Sequence, residues 1–195
     1  MSLKNSYNVA DYVEWDVMLN LVRRLYNDGN YRMSLLISCG SFFGLRISDL
    51  LSLTWKQLLD SNTFVLIEQK TKKRRVIKIN PQLQRHIHDC YAALAIRDKN
   101  EKCFLSKKKM VYSTQRINII FKEIKVKYKL KIQHFSTHSL RKTFGRQVVT
   151  MAGENAEFAL IKLSELYNHS NTMITRRYLG LRNEELMETY DMLSF

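Results

Sequence analysis

His138-Ser139-Leu140-Arg141 is followed downstream by His169 and Tyr178, and these few residues carry most of the chain's chemical information. Histidine and arginine three residues apart share one face of a helix, so both side chains can reach one anion. Thr137 stands before them as the expected N-cap. The second histidine precedes the tyrosine by nine residues, enough chain for the phenol to fold back toward that anion. Far upstream, Gly44-Leu45-Arg46-Ile47-Ser48-Asp49-Leu50-Leu51 supplies another arginine at a turn into a helix. Asp49, one helical turn beyond Arg46, is a candidate ion-pair partner for it. Two arginines, two histidines and a tyrosine are the groups that covalent attack on a phosphodiester requires. Guanidinium forks neutralise charge on the non-bridging oxygens, imidazoles move protons near neutral pH, and a phenol can act as nucleophile.

Periodicity around these residues predicts a mainly α fold with one small antiparallel sheet. Val13, Val17, Leu21 and Leu25 recur near helical period, and Asn27-Asp28-Gly29-Asn30 ends that helix. Residues 31–43 are apolar on most sides and predict a buried helix broken by Gly44. Thr63-Phe64-Val65-Leu66-Ile67 and Arg75-Val76-Ile77-Lys78-Ile79 read as strands, rich in β-branched residues and joined by a charged turn. Further helices are predicted from Pro81, over residues 113–128, from Thr137 to just before Gly153, and over 154–165, 172–179 and 184–192.

Net charge is +14, with 32 basic against 18 acidic residues, a balance that points to a polyanionic partner. Six basic residues and no acid lie between Lys70 and Lys78, and twelve basic residues against three acids between Arg97 and Lys131. Glu184, Glu185, Glu188 and Asp191 make the C-terminus acidic. This asymmetry separates a DNA-facing side from a docking element. Three cysteines without a close-spaced pair imply neither a disulfide framework nor a zinc cluster, and a reducing cytoplasm suits them. No apolar run reaches bilayer-spanning length. His86 and His88, two apart on a helix, point to different faces and do not suggest a metal pair.

Taken together, these boxes resemble the tyrosine recombinase family, the phage-type integrases and chromosome-dimer-resolving recombinases, over residues 31–178. Arg46 lies where the family's first arginine stands. Gln69-Lys70-Thr71-Lys72-Lys73-Arg74-Arg75 looks like the family's β-hairpin, whose lysine is the general acid; the resemblance favours Lys70, with Lys72 as the alternative. His138 and Arg141 match the second box, Leu166-Tyr167-Asn168-His169-Ser170 the third, and Arg177-Tyr178-Leu179 carries the nucleophile. Two residues depart from the usual pattern: Asn168 where glycine is frequent, and Lys142 where histidine is common.

The resemblance implies a tyrosine recombinase catalytic-domain fold over residues 1–180, with 1–30 as linker and first helix. It implies site-specific recombination through a 3′-phosphotyrosyl intermediate. The catalytic set would be Arg46, Lys70, His138, Arg141, His169 and Tyr178, supported by Asp49. Lys72, Lys73, Arg74, Arg75 and Lys142 would contact DNA. No cofactor and no metal are expected. The partner would be duplex DNA, with the protein monomeric when free and tetrameric on DNA, and with no membrane. Residues 181–195, carrying Leu181, Leu186, Met187, Tyr190, Met192, Leu193 and Phe195, would form a docking helix. Such enzymes usually carry an N-terminal core-binding domain of roughly one hundred residues, and the thirty residues before the first matching helix are too few for it. Type IB topoisomerase activity and a non-catalytic DNA-binding regulator stay open as alternatives.

Overall fold

The computed structural model describes residues 10–192. Leu193 and Phe195 of the expected docking segment, residues 1–9, and the side chains of Glu184 and Glu185 lie outside that description. Two compact units divide the chain, residues 1–143 and 144–195.

The first unit opens with α1 (Trp15–Asn27), which buries Met18, Leu21, Val22 and Leu25. These are i, i+3, i+4 and i+7 positions of one face. The expected stripe was out of phase at its start. Val13 precedes the helix in extended chain, where its N–H donates to Thr143 Oγ1 at 2.9 Å, and Val17 faces outward. Next, α2 (Tyr31–Phe43) is buried on nearly every side, as its composition predicts, and ends at Gly44 in a left-handed conformation. Two short helices follow, α3 (Ile47–Leu51) and α4 (Trp55–Leu59). The second was not predicted, although its capping box is legible. Thr54 Oγ1 accepts from the Gln57 N–H and the Gln57 side chain accepts from the Thr54 N–H.

Strands β1 (Thr63–Ile67) and β2 (Arg74–Lys78) pair antiparallel, with Leu66 opposite Arg75. The second strand starts and ends one residue earlier than predicted. Phe64, Leu66 and Ile77 turn inward. Helix α5 (Pro81–Ala93) starts with Asn80 accepting from the Leu83 N–H, and α6 (Thr114–Lys127) with Ser113 accepting from the Arg116 N–H. Along α5, His86 faces inward and hydrogen-bonds to Ser34 Oγ at 3.0 Å while His88 is exposed, so the pair does separate onto two faces.

Helix α7 spans Thr137–Ala152. Thr137 is its first residue rather than its N-cap; the cap position falls on Ser136, whose N–H donates to Ser139 Oγ at 3.0 Å. The first unit's core runs from Val13 to Leu140 and includes Trp55, Phe104 and Phe121, all fully enclosed. Burying an apolar side chain of this size contributes about 1.5–3 kcal/mol each, before the entropy cost of ordering it.

The second unit holds the rest of α7, a single 3₁₀ turn at Gly153–Asn155, α8 (Ala156–Tyr167), α9 (Thr172–Leu179) and α10 (Leu181–Asp191). Leu160, Leu163, Tyr167 and Leu179 form its core. Gly145 makes this packing possible. A Cβ there would sit 2.6 Å from Leu179 Cδ2 and 2.8 Å from the Tyr167 hydroxyl, closer than side chains tolerate. Among the described residues no helix is long and apolar enough to cross a membrane.

Candidate active site

In the first unit the arginines converge on the carboxyl end of α2. Successive carbonyls there lack intrahelical donors and carry the negative end of the helix dipole. Arg75 Nη2 donates to the Phe43 carbonyl at 2.6 Å, and Arg141 Nη1 donates to the Gly44 carbonyl at 2.6 Å. Arg46 follows two residues later, as the residue before α3. The close approach of α7 to α2 depends on Gly40, where a Cβ would meet Leu140 Cδ1 at 2.5 Å. That contact sets the start of α7, and with it Arg141, beside the α2 terminus.

Arg46 pairs with Glu68, 2.8 Å from its Nη1, and not with Asp49 as the helical spacing suggested. Asp49 is fully buried and instead accepts from the Gln69 N–H at 2.8 Å, tying the arginine turn to the hairpin loop. Glu68 also receives the Thr71 hydroxyl at 2.7 Å and lies 3.6 Å from Arg75. Burial alone would push the Glu68 carboxyl up; the Thr71 hydroxyl and the two guanidinium groups outweigh it and hold it below the ordinary carboxylate range.

Lys70 and Lys72 both lie exposed in the hairpin loop, Lys72 in a left-handed turn conformation at φ 57°. Lys73 and Arg74 are exposed beside them. Arg75 and Lys142, expected on the DNA-facing surface, are turned into the fold: Arg75 bridges Phe43 and Glu68, and Lys142 is only 5% exposed. For Arg75 the reason is strand alternation, which puts it on the inward face with Ile77. His138, in the first turn of α7, is more than a third open at the surface. The protein around its ring, and then the neighbouring Arg141 and Lys142 charges, hold its pKa below the ordinary histidine value. This favours its neutral form, the one able to accept a proton.

The second unit carries His169 and Tyr178. Helix α8 ends in a paired-bond motif in which the Asn168 N–H donates to the Glu165 carbonyl at 3.0 Å and the His169 N–H to the Ser164 carbonyl at 2.8 Å. Asn168 adopts φ 57°, ψ 47°, the left-handed conformation glycine reaches most easily and asparagine next. The departure from glycine therefore keeps the turn. His169 Nδ1 lies 2.9 Å from the hydroxyl of buried Thr175, which orients the imidazole. Tyr178 is one turn beyond Thr175 on α9; its ring meets His169 and Tyr167 edge-on, with centroids 5.6 and 5.7 Å apart. Gly180, left-handed at φ 83°, closes α9 immediately afterwards.

Sequence reasoning missed Glu68 and Thr175. For Glu68 a signal was present: it is the one acid between Thr63 and Ile79, and it continues the inward alternation of Phe64 and Leu66. A carboxylate on an inward face demands a cation. Among the described residues no group of three or more His, Cys, Asp or Glu side chains could hold a metal ion.

The pattern of the phage integrase family matches residues 17–185. Over 173 residues the chain is 29% identical to the probable integrase/recombinase YoeC of Bacillus subtilis (strain 168), covering 87% of this chain and 88% of that protein. Its fold is similar to that of the XerA recombinase, with TM-score 0.71 at 19% identity over 97% of this chain and 68% of that one. It is similar also to the XerH site-specific recombinase bound to palindromic difH substrate, with TM-score 0.66 at 17% identity over 95% of this chain and 54% of that one. With its family pattern spanning both compact units and its arginine, histidine and tyrosine boxes in order, the chain belongs to the phage integrase family and is a site-specific recombinase of the tyrosine class.

Proposed function

We propose that this recombinase cuts duplex DNA with Tyr178 as the nucleophile. The phenol oxygen attacks the scissile phosphorus in line, a 3′-phosphotyrosyl bond forms, and the bond to the 5′ oxygen breaks. His138, whose surroundings favour the neutral imidazole, takes the phenol proton, and Lys70 protonates the departing 5′ oxygen. Arg46 and Arg141 stabilise charge on the non-bridging oxygens, and His169 adds a hydrogen bond. A 5′ hydroxyl from a second strand then reverses the sequence, so the phosphoester bond energy is conserved without ATP. Lys72, Lys73 and Arg74 track the DNA backbone.

The observation that carries this reading is the anchoring of Arg141 on the Gly44 carbonyl, two residues from Arg46. A suicide substrate, nicked so that the 5′ fragment diffuses away, tests it in EDTA. A denaturation-resistant protein–DNA adduct is expected, because the cations at the phosphate belong to the protein. Cleavage only after magnesium is restored would replace the reading with a metal-dependent nuclease. Relaxation of supercoiled DNA without exchange between two sites would replace it with nicking-closing activity.

The protein works in the cytoplasm, in keeping with its three buried free cysteines, and assembles from free monomers into a tetramer on DNA through α10. Leu186, Met187, Tyr190 and Met192 on and just after this helix are all more than half exposed. An eleven-residue helix does not persist alone in water, and so much exposed apolar surface on it calls for a partner. The acids Glu188 and Asp191 suit a basic acceptor and keep the helix off the DNA. Deleting residues 182–195 should leave the thermal midpoint within a few degrees, roughly the effect of 1 kcal/mol or less, while recombination and higher-order complexes on DNA are lost. Unfolding of the truncated protein, or recombination at the full rate, would remove the docking role.

A further inference from the structure

Glu68 has no part in the chemistry outlined above, yet it is the hairpin's single acid, 4% exposed, and it touches both Arg46 and the loop that carries Lys70. Its Oε2 accepts from Arg46 and from the Thr71 hydroxyl, at 2.8 and 2.7 Å. Its backbone closes the loop that carries Lys70: the Glu68 N–H donates to the Lys73 carbonyl at 3.0 Å, and the Glu68 carbonyl accepts from the Lys72 N–H at 2.9 Å. Lys70 is thus flanked by Gln69, held by Asp49 and Ser48, and by Thr71, held by Glu68. Arg75 approaches the second carboxylate oxygen at 3.6 Å.

An ion pair this enclosed is a poor device for stability alone. Desolvating the charges offsets most of their attraction, and apolar side chains of equal volume often serve as well. What the pair supplies is direction. Guanidinium is planar, so one fixed N–H···O bond sets where its remaining donors point. We propose that Glu68 is a positioning residue that locks the Arg46 fork and the Lys70 loop into one piece, so that phosphate clamp and proton donor meet the DNA in register. The inference rests on the strand-cleavage reading given above.

Glu68→Gln keeps the shape and removes the charge. At saturating nicked DNA it should slow adduct formation about 100-fold, the cost of misplacing one electrostatic stabiliser, while the half-saturating DNA concentration moves less than about threefold. Glu68→Asp, with charge but shorter reach, should fall between. A substrate with sulfur at the bridging 5′ position separates the two halves, because a thiolate departs without a proton. It should recover the part of the loss due to Lys70 and leave the part due to Arg46. Thr71→Val, which spares the Arg46 pair, should slow the oxygen substrate and not the sulfur one; this variant decides the loop half should Glu68→Gln fail to fold.

Cleavage by Glu68→Gln within about threefold of the parent, or a loss wholly accounted for by weaker DNA binding, would overturn the proposal. If the parent protein itself formed no adduct, the cleavage reading would fall and the mechanical coupling would be judged by hydrogen exchange. Glu68→Gln should speed exchange of the Gln69 and Lys72 amides by about tenfold or more, and unchanged exchange would refute it.

Discussion

Replacing Tyr178 with phenylalanine is expected to abolish covalent attachment to DNA, a loss of at least about 10⁴-fold in cleavage rate, with DNA affinity altered by no more than about threefold. The substitution removes one oxygen and keeps the ring that packs on Tyr167 and His169. The fold and the positive surface should therefore survive, which separates loss of the nucleophile from loss of the protein. The measurement is adduct formation on a nicked substrate, run under denaturing conditions beside a binding titration at fixed salt. Persistence of a denaturation-resistant adduct in the phenylalanine protein would transfer the role to another tyrosine. Tyr167 is fully enclosed in the second unit's core, whereas Tyr190 is well exposed and would be tested next.

Arg46→Ala should lower single-turnover cleavage about 10³-fold, and Arg46→Lys about 10²-fold. Alanine removes both the charge at the phosphate and one cation facing Glu68. Lysine restores the charge but not the planar fork, so it cannot hold Glu68 and grip an oxygen in fixed directions together. Stability should fall as well. Breaking an enclosed pair by deleting one partner costs about 3–5 kcal/mol when the other charge is stranded. Here the loss should be smaller, since Glu68 keeps Thr71 and Arg75 and the Arg46 side chain is itself 22% exposed. Chemical denaturation of the three proteins, compared with their cleavage rates at saturating DNA, checks both effects. Equal cleavage by the lysine and parent proteins would show that charge alone suffices and that fork geometry is irrelevant.

Much of this architecture was legible residue by residue. The helix at Tyr31–Phe43, the Pro81 helix start, the Ser113 start of α6 and the glycine stops follow from local propensity and capping, which act over one or two turns. The strand pair was visible for the same reason. At the third box the sequence showed only a departure from glycine, and it is the left-handed backbone of Asn168 that explains why asparagine serves there. The partnerships of the charged groups were not legible in this way. Helical spacing proposed Asp49 for Arg46, and the family resemblance implied DNA contacts for Arg75 and Lys142. Folding assigned Arg46 to Glu68, turned Arg75 onto the Phe43 carbonyl and buried Lys142.

The physical reason is range. Which residues form a helix, a strand or a turn, and which side chains bear the chemistry, are matters of local sterics and of side-chain identity, and the order of the boxes in the chain carries them. Which carbonyl or carboxylate orients each arginine depends on groups 22 residues apart for Arg46 and Glu68, 32 for Arg75 and Phe43, and 97 for Arg141 and Gly44. Such pairs exist only once helices pack, because only then do the exposed carbonyls at the end of α2 and the inward carboxylate of Glu68 lose water and take the guanidinium groups as their donors.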